Sequence, residues 1–513
     1  MTEYRIFSSN KRIILSYKPL KKAESILTYK DIVVAAGSRE DLARIGKILG
    51  AEEIIYDGII LPSFVDAHMH MDSLGLELST IVLDSVYSFK QLLGVLRKAE
   101  PGPSGWIIGR GFDHNLFVDK KTITRKDLDE INPSVPILII HRSGHMGIMN
   151  TKGVAEASDI IKNRKEQLVP ETGIILEDAL WILTEYLKSS GGIKTLASIL
   201  DTAQKHLLEH GVTTVGLAGC TTNCYKALEE LEISGKLKVR TYAYMYCDQT
   251  CDLEDLLRFP VISWRSYKRL KVNGIKILLD GAFGTRTAFL REPYTDDPST
   301  RGMILWNKDT LRKVIENANK LGLQVAVHTI GDAALDVLLE IYKSLGDDVR
   351  KLRHRIEHAS IVNPDQFAII ENIKPVVVIQ PRFIIADKWI VERLGEKRAK
   401  HVYPFRSLLS STNIALSTDA PVEPVNPWET IYAAVTRGIY DDIPLAKITV
   451  NESLSLIDAL DAYTRGGGYA LHDDRLGCLL PGCYSDHIVV DKDPFNVPIS
   501  KIREIRVLHT YTY

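Results

Sequence analysis

Five side chains of metal-binding types are candidates for a shared metal site. His68 and His70 form a His-x-His pair. On a β-strand, the i, i+2 spacing places both imidazoles on the same face, so that both can reach one ion. The other three candidates are His328, His358 and Asp419. Imidazole nitrogens and carboxylate oxygens are common ligands of zinc and other transition metals, so this set indicates a metal centre.

A lysine in an apolar run is a sixth residue that could do chemistry. Lys276 lies within VNGIKILLD, which has the composition of a buried strand. An isolated ammonium group that is buried costs several kcal/mol or gives up its proton. Lys276 therefore needs a partner or a function.

The elements that must position these residues follow a repeated order of an apolar β-branched run, a turn and an amphipathic helix. Such a repeat predicts parallel strands joined by crossover helices. Helix end signals support it, among them the S-x-x-Q sequence at Ser88 and the glycine at 211. The eight candidate strands are 59–70, 212–219, 238–246, 270–280, 323–330, 354–359, 375–380 and 413–419.

Eight strands in this order predict an α/β fold, a (β/α)8 TIM barrel over residues 59–474. The first two strands are about 140 residues apart, far more than one crossover helix needs. This distance predicts an insertion over 72–200, which we expect above the active site at the barrel's carboxyl rim. Short strand-like runs at both ends of the chain predict a small β unit built from 1–58 and 475–513.

The barrel prediction explains why the candidate ligands could meet. In a parallel barrel, polar residues at the carboxyl ends of the strands point into the active-site mouth. The first predicted strand ends with His68 and His70, and the fifth, sixth and eighth end with His328, His358 and Asp419. The lysine lies near the end of the fourth. A single histidine at a strand end is commonly a core or surface residue, but five such residues together favour a metal site.

Composition and charge exclude several classes of protein. With 45% apolar and 25% charged residues over 513 positions, the chain is neither disordered, collagen-like nor a coiled coil. Its 64 Lys+Arg against 65 Asp+Glu give no long-range attraction to nucleic acid or to an anionic membrane. The N-terminus lacks a secretory pattern, and no apolar run is long enough to span a bilayer. We expect a cytoplasmic protein with a small-molecule substrate, and a homodimer is considered as its assembly.

The six cysteines fall in three close pairs, Cys220/Cys224, Cys247/Cys251 and Cys478/Cys483. Their spacing does not favour a structural zinc. Reduced thiols are the default in a cytoplasmic protein, although intracellular proteins of hyperthermophiles do form disulfides. A cross-strand disulfide between Cys220 and Cys247 is also considered, because these residues follow neighbouring predicted strands.

The sequence resembles the amidohydrolase superfamily of metal-dependent hydrolases, in the branch of YtcJ-like proteins and N-substituted formamide deformylase. The matching segments cover most of the chain in the same order and spacing. They are LPSFVDAHMHMD at 61–72, KILLDGAFGTRTAFL at 276–290, PYTDDPSTRG at 293–302, VAVHTIGDAALD at 325–336, RIEHASIV at 355–362, ALSTDAPVEPVNPW at 415–428 and LPGCYSDHIVVDKDP at 480–494. The insertion matches more loosely, through GRGFDH, SGHMGIMNTKGV and ETGIILED.

The resemblance implies a distorted barrel, a composite β-sandwich from both termini, and one or two divalent ions, usually zinc. Lys276 would be carboxylated and bridge the two ions. His68, His70 and Asp419 would bind the more buried ion, and His328 with His358 the more exposed one. A metal-activated hydroxide would then attack an amide-like, non-peptide C–N bond. Asp419 would pass the proton to the leaving nitrogen.

The same resemblance places parts of the insertion near the substrate. The candidate substrate-binding residues are Asp113, His114, His145, Glu177 and Arg286. The first four are interpreted either as substrate contacts or as solvated surface residues. Arg286 either anchors a substrate carboxylate or oxyanion or forms a structural ion pair.

Two functions of other classes stay open at this point. A lyase could use Lys276 as a Schiff-base nucleophile, but it would leave the four histidines and Asp419 without a role. A catalytically inactive binding protein with the same fold is the other alternative, although here none of the expected ligands is missing. Metal analysis separates the three functions, because only the hydrolase requires bound metal.

Overall fold

The computed structural model describes residues 3–119, 121–141, 146–263 and 267–513. The chain divides into two compact units. The first contains 1–70, 206–221 and 237–513, and the second contains 71–205 together with 222–236.

The strands are numbered in chain order. They are β1 (Tyr4–Tyr17), β2 (Leu20–Tyr29), β3 (Ile32–Gly37), β4 (Glu52–Tyr56), β5 (Ile59–Pro62), β6 (Phe64–Met69), β7 (Ile81–Val82), β8 (Ile107–Phe112), β9 (Ile137–His141), β10 (Met146–Met149), β11 (Leu168–Val169), β12 (Ile174–Leu176), β13 (Val212–Cys220), β14 (Arg240–Tyr246), β15 (Leu270–Leu278), β16 (Gln324–Thr329), β17 (Arg355–His358), β18 (Val376–Ile379), β19 (Ile414–Leu416), β20 (His487–Val490) and β21 (Val507–Tyr511).

The α-helices are numbered in the same way. They are α1 (Arg39–Leu49), α2 (Met71–Leu78), α3 (Phe89–Leu96), α4 (Arg125–Asp129), α5 (Thr151–Ile160), α6 (Glu177–Ser189), α7 (Gly192–Glu209), α8 (Thr222–Ile233), α9 (Leu253–Ser263), α10 (Lys308–Lys320), α11 (Asp332–Leu345), α12 (Asp348–Lys351), α13 (Pro364–Ile373), α14 (Phe383–Ala386), α15 (Ile390–Ala399), α16 (Phe405–Ser411), α17 (Pro427–Thr436), α18 (Pro444–Thr449), α19 (Leu456–Ala462) and α20 (Arg465–Ala470).

The first unit contains a nearly closed barrel of eight parallel strands, in the order β19-β18-β17-β16-β15-β14-β13-β6. Each of the eight predicted barrel strands has its counterpart here, although the first prediction, 59–70, is wrong for its first part, because only β6 (Phe64–Met69) belongs to the barrel. Their residues are almost all buried, as in β16 and β17, because strands in a parallel barrel are covered on both sides.

The two ends of the strand order, β6 and β19, meet at a seam that side chains and backbone hold together. The Asp419 N–H donates to the His68 carbonyl at 2.9 Å, and the His70 N–H donates to the Ala420 carbonyl at 2.8 Å. The buried carboxylate of Asp66 accepts hydrogen bonds from the Thr418 backbone N–H and, at 2.6 Å, from its hydroxyl. The seam therefore includes three of the predicted metal ligands, His68, His70 and Asp419.

The two chain termini form one seven-stranded sheet, in the order β21-β20-β5-β1-β2-β3, with β4 also paired to β1. Its core includes Phe7, Ile26 and Val489. The run predicted as one strand over 59–70 is divided between this sheet and the barrel. The division falls at Ser63, because its N–H donates to Asp486 of the terminal segment while the next N–H, of Phe64, donates to Gly211 of the barrel.

The second unit has its own six-stranded sheet, in the order β11-β12-β10-β9-β8-β7. Two apolar clusters cover this sheet, one around Leu138 and Ile175 and the other around Ile107 and Ile139. Helix α8, which follows the second barrel strand, groups with this unit. Among the described residues, no helix is both long and apolar enough to cross a membrane.

Four of the six cysteines form disulfides, Cys247–Cys251 and Cys478–Cys483, so the expectation of reduced thiols is wrong for these four. The Cα atoms of the two pairs are 5.3 and 5.9 Å apart, within the range that a disulfide spans. The cross-strand bond considered between Cys220 and Cys247 is also wrong, because Cys247 is bonded within its own pair. Cys220 is a buried thiol.

Candidate metal centre

The candidate ligands lie at the carboxyl ends of the barrel strands. His68 is in β6, Lys276 in β15, His328 in β16 and His358 in β17. Asp419 follows β19 in a left-handed backbone conformation, with φ of 62°. This conformation is uncommon outside glycine, but Asp tolerates it better than most residues, and the hydrogen bond to His68 holds it here.

Three of the ligands converge closely. His68, His70 and Asp419 each offer a ligand atom, and these atoms all lie within 4.8 Å of one another. The Asp419 Oδ1 atom is 3.4 Å from His68 Nε2 and 3.1 Å from His70 Nε2. It is buried and accepts no hydrogen bond in the part of the chain that the structure describes. An unsatisfied carboxylate oxygen beside two imidazole nitrogens fits a divalent cation.

Among the four candidate ligand histidines, the three more buried ones each use one ring nitrogen to hold the orientation of the ring. His68 donates from Nδ1 to the Glu357 carboxylate, and His358 donates from Nδ1 to Gln380 Oε1 at 2.7 Å. His328 donates from Nε2 to the Gly281 carbonyl at 3.1 Å. In a neutral imidazole the second nitrogen then carries a lone pair, which is the arrangement found in metal-binding histidines.

Burial keeps these imidazoles neutral. It lowers the pKa of His68 to about 4 and that of His358 to about 3, and it lowers the pKa of His328 well below its ordinary value. A metal ligand must be deprotonated at the coordinating nitrogen. These three imidazoles can therefore bind a cation at neutral pH without losing a proton.

A buried ion pair between Glu357 and Arg355 holds the orientation of the His68 ring. Glu357 receives hydrogen bonds from Arg355 at 2.6 and 2.8 Å, and Arg355 also donates to the Ala67 carbonyl at 2.8 Å. Burial alone raises the pKa of the Glu357 carboxyl, but the Arg355 guanidinium outweighs it and holds this pKa well below its usual range. His68 thus faces a permanent carboxylate, which strengthens its ring as a ligand.

Lys276 lies beside this group, and its Nζ is 3.3 Å from His68 Nε2. Its side chain is buried, and burial lowers its pKa to about 8. Near neutral pH a fraction of the amine is therefore uncharged. This form is the one that can react with carbon dioxide or with a carbonyl.

Asp280 orders the backbone around His328. Its carboxylate accepts from the backbone N–H groups of Phe289, Ile330 and Gly331 at 2.8–3.0 Å, and its Oδ1 lies 3.7 Å from His328 Nε2. Burial raises the pKa of Asp280 to about 7. The rings of His328 and His358 are 4.5 Å apart, next to the His68 group.

The predicted substrate-binding residues lie in different places. Asp113 and His114 form a group with His141 in the second unit, with 3.4 Å between Asp113 and the His141 Nε2 atom. Glu177 is the exposed first residue of α6. Arg286, in the first unit, forms an ion pair with Asp296 at 2.8 Å.

His145 lies outside the described residues. The predicted substrate role of these residues stays a prediction.

Sequence reasoning missed the residues that orient the ligands. Gln380 and Asp280 end the seventh and fourth predicted strands, so the rule that found the histidines could also have found them. Glu357 gave no such signal, because it precedes His358 and strand alternation would place the two on opposite faces. The positive φ of His358, 72°, breaks that alternation.

Comparison with known proteins agrees with this geometry. The model of a family described as "Amidohydrolase family" matches residues 57–512. A solved structure of an uncharacterized metal-dependent hydrolase from Pyrococcus horikoshii OT3 superposes with a TM-score of 0.87 at 33% identity, over 97% of this chain and 99% of that one.

Two curated relatives are similar over nearly their whole length. YtcJ of Bacillus subtilis (strain 168), a proposed amidohydrolase, is 27% identical over 508 residues, which are 95% of this chain and 94% of YtcJ. The N-substituted formamide deformylase of Arthrobacter pascens is 24% identical over 494 residues, 88% of this chain and 87% of the deformylase.

Proposed function

This chain belongs to the amidohydrolase family and is a hydrolase, and we propose that it cleaves a non-peptide C–N bond of a small molecule. The proposed reaction uses one or two divalent ions, and zinc is the proposed metal. The observation that carries the proposal is the convergence of His68, His70 and Asp419 at the barrel mouth, within 4.8 Å of one another. Imidazole and carboxylate donors of this kind suit zinc.

The metal would be held by His68, His70 and Asp419, with Lys276, His328 and His358 beside them. A divalent ion bound there supplies Lewis-acid polarisation of a carbonyl and a lowered pKa for water. The buried ion pair of Glu357 with Arg355 fixes the His68 ring. Gln380 fixes the His358 ring in the same way.

Asp419 is the proposed proton carrier. Its Oδ1 accepts no hydrogen bond from the described residues, and it lies next to the imidazoles of His68 and His70. In amide hydrolysis the attacking water must lose a proton and the leaving nitrogen must gain one. A carboxylate that binds the metal through one oxygen can accept the first proton on its other oxygen and deliver it to the nitrogen.

We also propose that Lys276 is carboxylated on Nζ. Its lowered pKa makes the neutral amine available, and the carbamate would replace a buried cation with an anionic group that has two oxygens. A positive ammonium 3.3 Å from His68 Nε2 would instead repel a cation at that nitrogen.

The experiment compares the metal-free protein with the same protein after addition of zinc. The substrates are N-substituted formamides, N-acyl amino acids, cyclic amides and lactones. N-substituted formamides are included because a relative that is similar over most of this chain is an N-substituted formamide deformylase. We expect C–N hydrolysis only with metal, and its loss in His70→Ala. Equal activity without metal, or hydrolysis of lactones alone, would contradict the proposal.

A further inference from the structure

Arg382 lies in the segment after β18 that contacts the metal centre. It follows Gln380, the residue that orients His358, by two positions. The next residue, Phe383, has its ring 6.3 Å from the His358 ring. Arg382 therefore lies between two residues that contact a candidate metal ligand.

The guanidinium of Arg382 makes no hydrogen bond with any described residue, and its Nε is buried without a partner. Two other arginines of the first unit have all of their guanidinium nitrogens in hydrogen bonds. Arg398 and Arg437 each donate from all three of their guanidinium nitrogens. A buried donor that is left unsatisfied costs free energy, so Arg382 is best explained by an acceptor that arrives with a ligand.

Two carboxylates lie near Arg382, but neither is within hydrogen-bond distance. Glu423 is 3.7 Å from Nη1 and Glu429 is 3.8 Å from Nε. Burial raises the pKa of Glu423 to about 7, so near neutral pH this group is only partly charged. Both distances are longer than a hydrogen bond, so the planar fork of N–H groups of Arg382 can still receive a carboxylate.

Glu423, which lies near Arg382, follows Asp419 by four residues in the loop after β19. The same loop therefore carries a candidate metal ligand and a carboxylate near Arg382. Between them, Val422 is 62% exposed and offers an apolar surface. From the unsatisfied Nε of Arg382 and its position between two residues that contact His358, we infer that Arg382 anchors a substrate carboxylate. The substrate class is then a carboxylate-bearing amide such as an N-acylated amino acid with an apolar side chain. This inference rests on the proposed C–N hydrolysis.

The test uses two substrates that share the bond to be cleaved. N-Formylphenylalanine has a carboxylate where N-formylphenylalaninamide has a neutral amide, and formate release is measured for both with the zinc-loaded protein. We expect Arg382→Gln to lower kcat/KM for the carboxylate substrate about 100-fold, mainly through KM. The neutral substrate should change less than about threefold, since it makes no charge-assisted bond.

Two further variants separate recognition from structural damage. Arg406→Gln removes an exposed arginine of α16 and should leave both substrates unchanged. Glu423→Gln removes a competing carboxylate but keeps Arg382, so KM for the carboxylate substrate should fall. An equal loss for both substrates in Arg382→Gln would overturn the inference and assign Arg382 a structural role.

Calorimetry decides the case in which neither substrate is cleaved, a result that would count against the proposed function. The zinc-loaded protein is titrated with phenylacetate and with phenylacetamide. If Arg382 is an anion anchor, phenylacetate binds more tightly than phenylacetamide, and Arg382→Gln weakens it at least about tenfold. Equal binding of phenylacetate to the wild type and the variant would overturn the inference independently of activity.

Discussion

The histidines of the metal centre differ from ordinary core histidines in how their two nitrogens are used. In His68, His328 and His358 one nitrogen donates to an oxygen of the protein, which places the lone pair of the neutral ring on the other nitrogen. His354, by contrast, has a partner at each nitrogen. The hydrogen-bond pattern and the proximity of the rings together mark this group as a ligand set.

The orienting residues should therefore control metal affinity. Gln380→Leu removes the acceptor of the His358 N–H but keeps a side chain of similar size. We expect metal affinity to fall about 10–100-fold, as is usual when the partner of a ligand histidine is lost. Competition with a chelator measures the affinity, and circular dichroism checks the fold. Unchanged affinity would show that His358 does not bind the metal.

Lys276 should behave as a carbamate. Lys276→Ala should lose one of two bound ions and most activity, and added formate or acetate should restore part of both by supplying carboxylate oxygens. Lys271→Ala is the matched control, because this lysine lies in the same strand with its side chain exposed. Electron density at Nζ in a metal-loaded crystal is the direct measurement. A bare amine beside two ions would disprove the bridge.

The sequence predicted that the candidate ligands come together because they end strands, where position along the chain determines position in space. His68, His328 and His358 could be found from this rule alone. Arg382 could not, because its importance lies in the hydrogen bonds that it lacks, and these depend on how two loops pack. The surroundings of the insertion's candidate substrate residues were likewise beyond a single sequence, since loop conformation does not follow from strand order.

At the scale of elements, the 59–70 run shows that one apolar run can contribute strands to two different sheets. An apolar run of this length predicts one strand, yet β5 belongs to the terminal sheet and β6 to the barrel. Periodicity could not show the division, because both halves are equally buried. It arises from long-range backbone pairing at Ser63 and Phe64.

His354 links three elements and should make their packing sensitive to pH. Its Nδ1 accepts from the Val325 N–H of β16 at 3.1 Å, and its Nε2 donates to Asn319 of α10 at 3.0 Å. Burial lowers its pKa from 6.5 to about 4. The unfolded chain therefore binds this proton more readily than the folded one, so the contribution of His354 to stability is complete above pH 6.5 and decreases as pH falls towards 4.

We expect a loss of about 2 kcal/mol from this group between pH 7 and pH 5. Urea denaturation of the wild type and His354→Gln at the two pH values measures it. The variant should be less stable at pH 7 but should lose less on acidification, because glutamine does not titrate. The exposed His509→Gln is the control and should keep the wild-type pH dependence. Parallel losses in the wild type and His354→Gln would show that His354 does not cause the effect.

At the scale of the whole molecule, the candidate ligands affect how the barrel closes, because three of them lie at the two strands where it closes. The barrel strands with candidate ligands include β6 and β19, the two ends of the strand order. At their seam, the described structure has a few backbone bonds and the Asp66 carboxylate. A metal held by His68, His70 and Asp419 would add a direct link across it. Metal binding should therefore stabilise the closed barrel as well as supply the chemistry.

Removal of the metal should accordingly weaken the barrel at one place. A ligand that binds only the folded state at about 1,000 times its Kd adds about 4 kcal/mol, so chelation should lower Tm by several degrees. Amide hydrogen exchange should rise first in β6 and β19, while the β1–β2 pair of the terminal sheet, 14 and 10 residues long, should keep its protection. In His70→Ala, chelation should change exchange at the seam much less. If exchange rises uniformly through the barrel, the metal stabilises the fold without closing the seam.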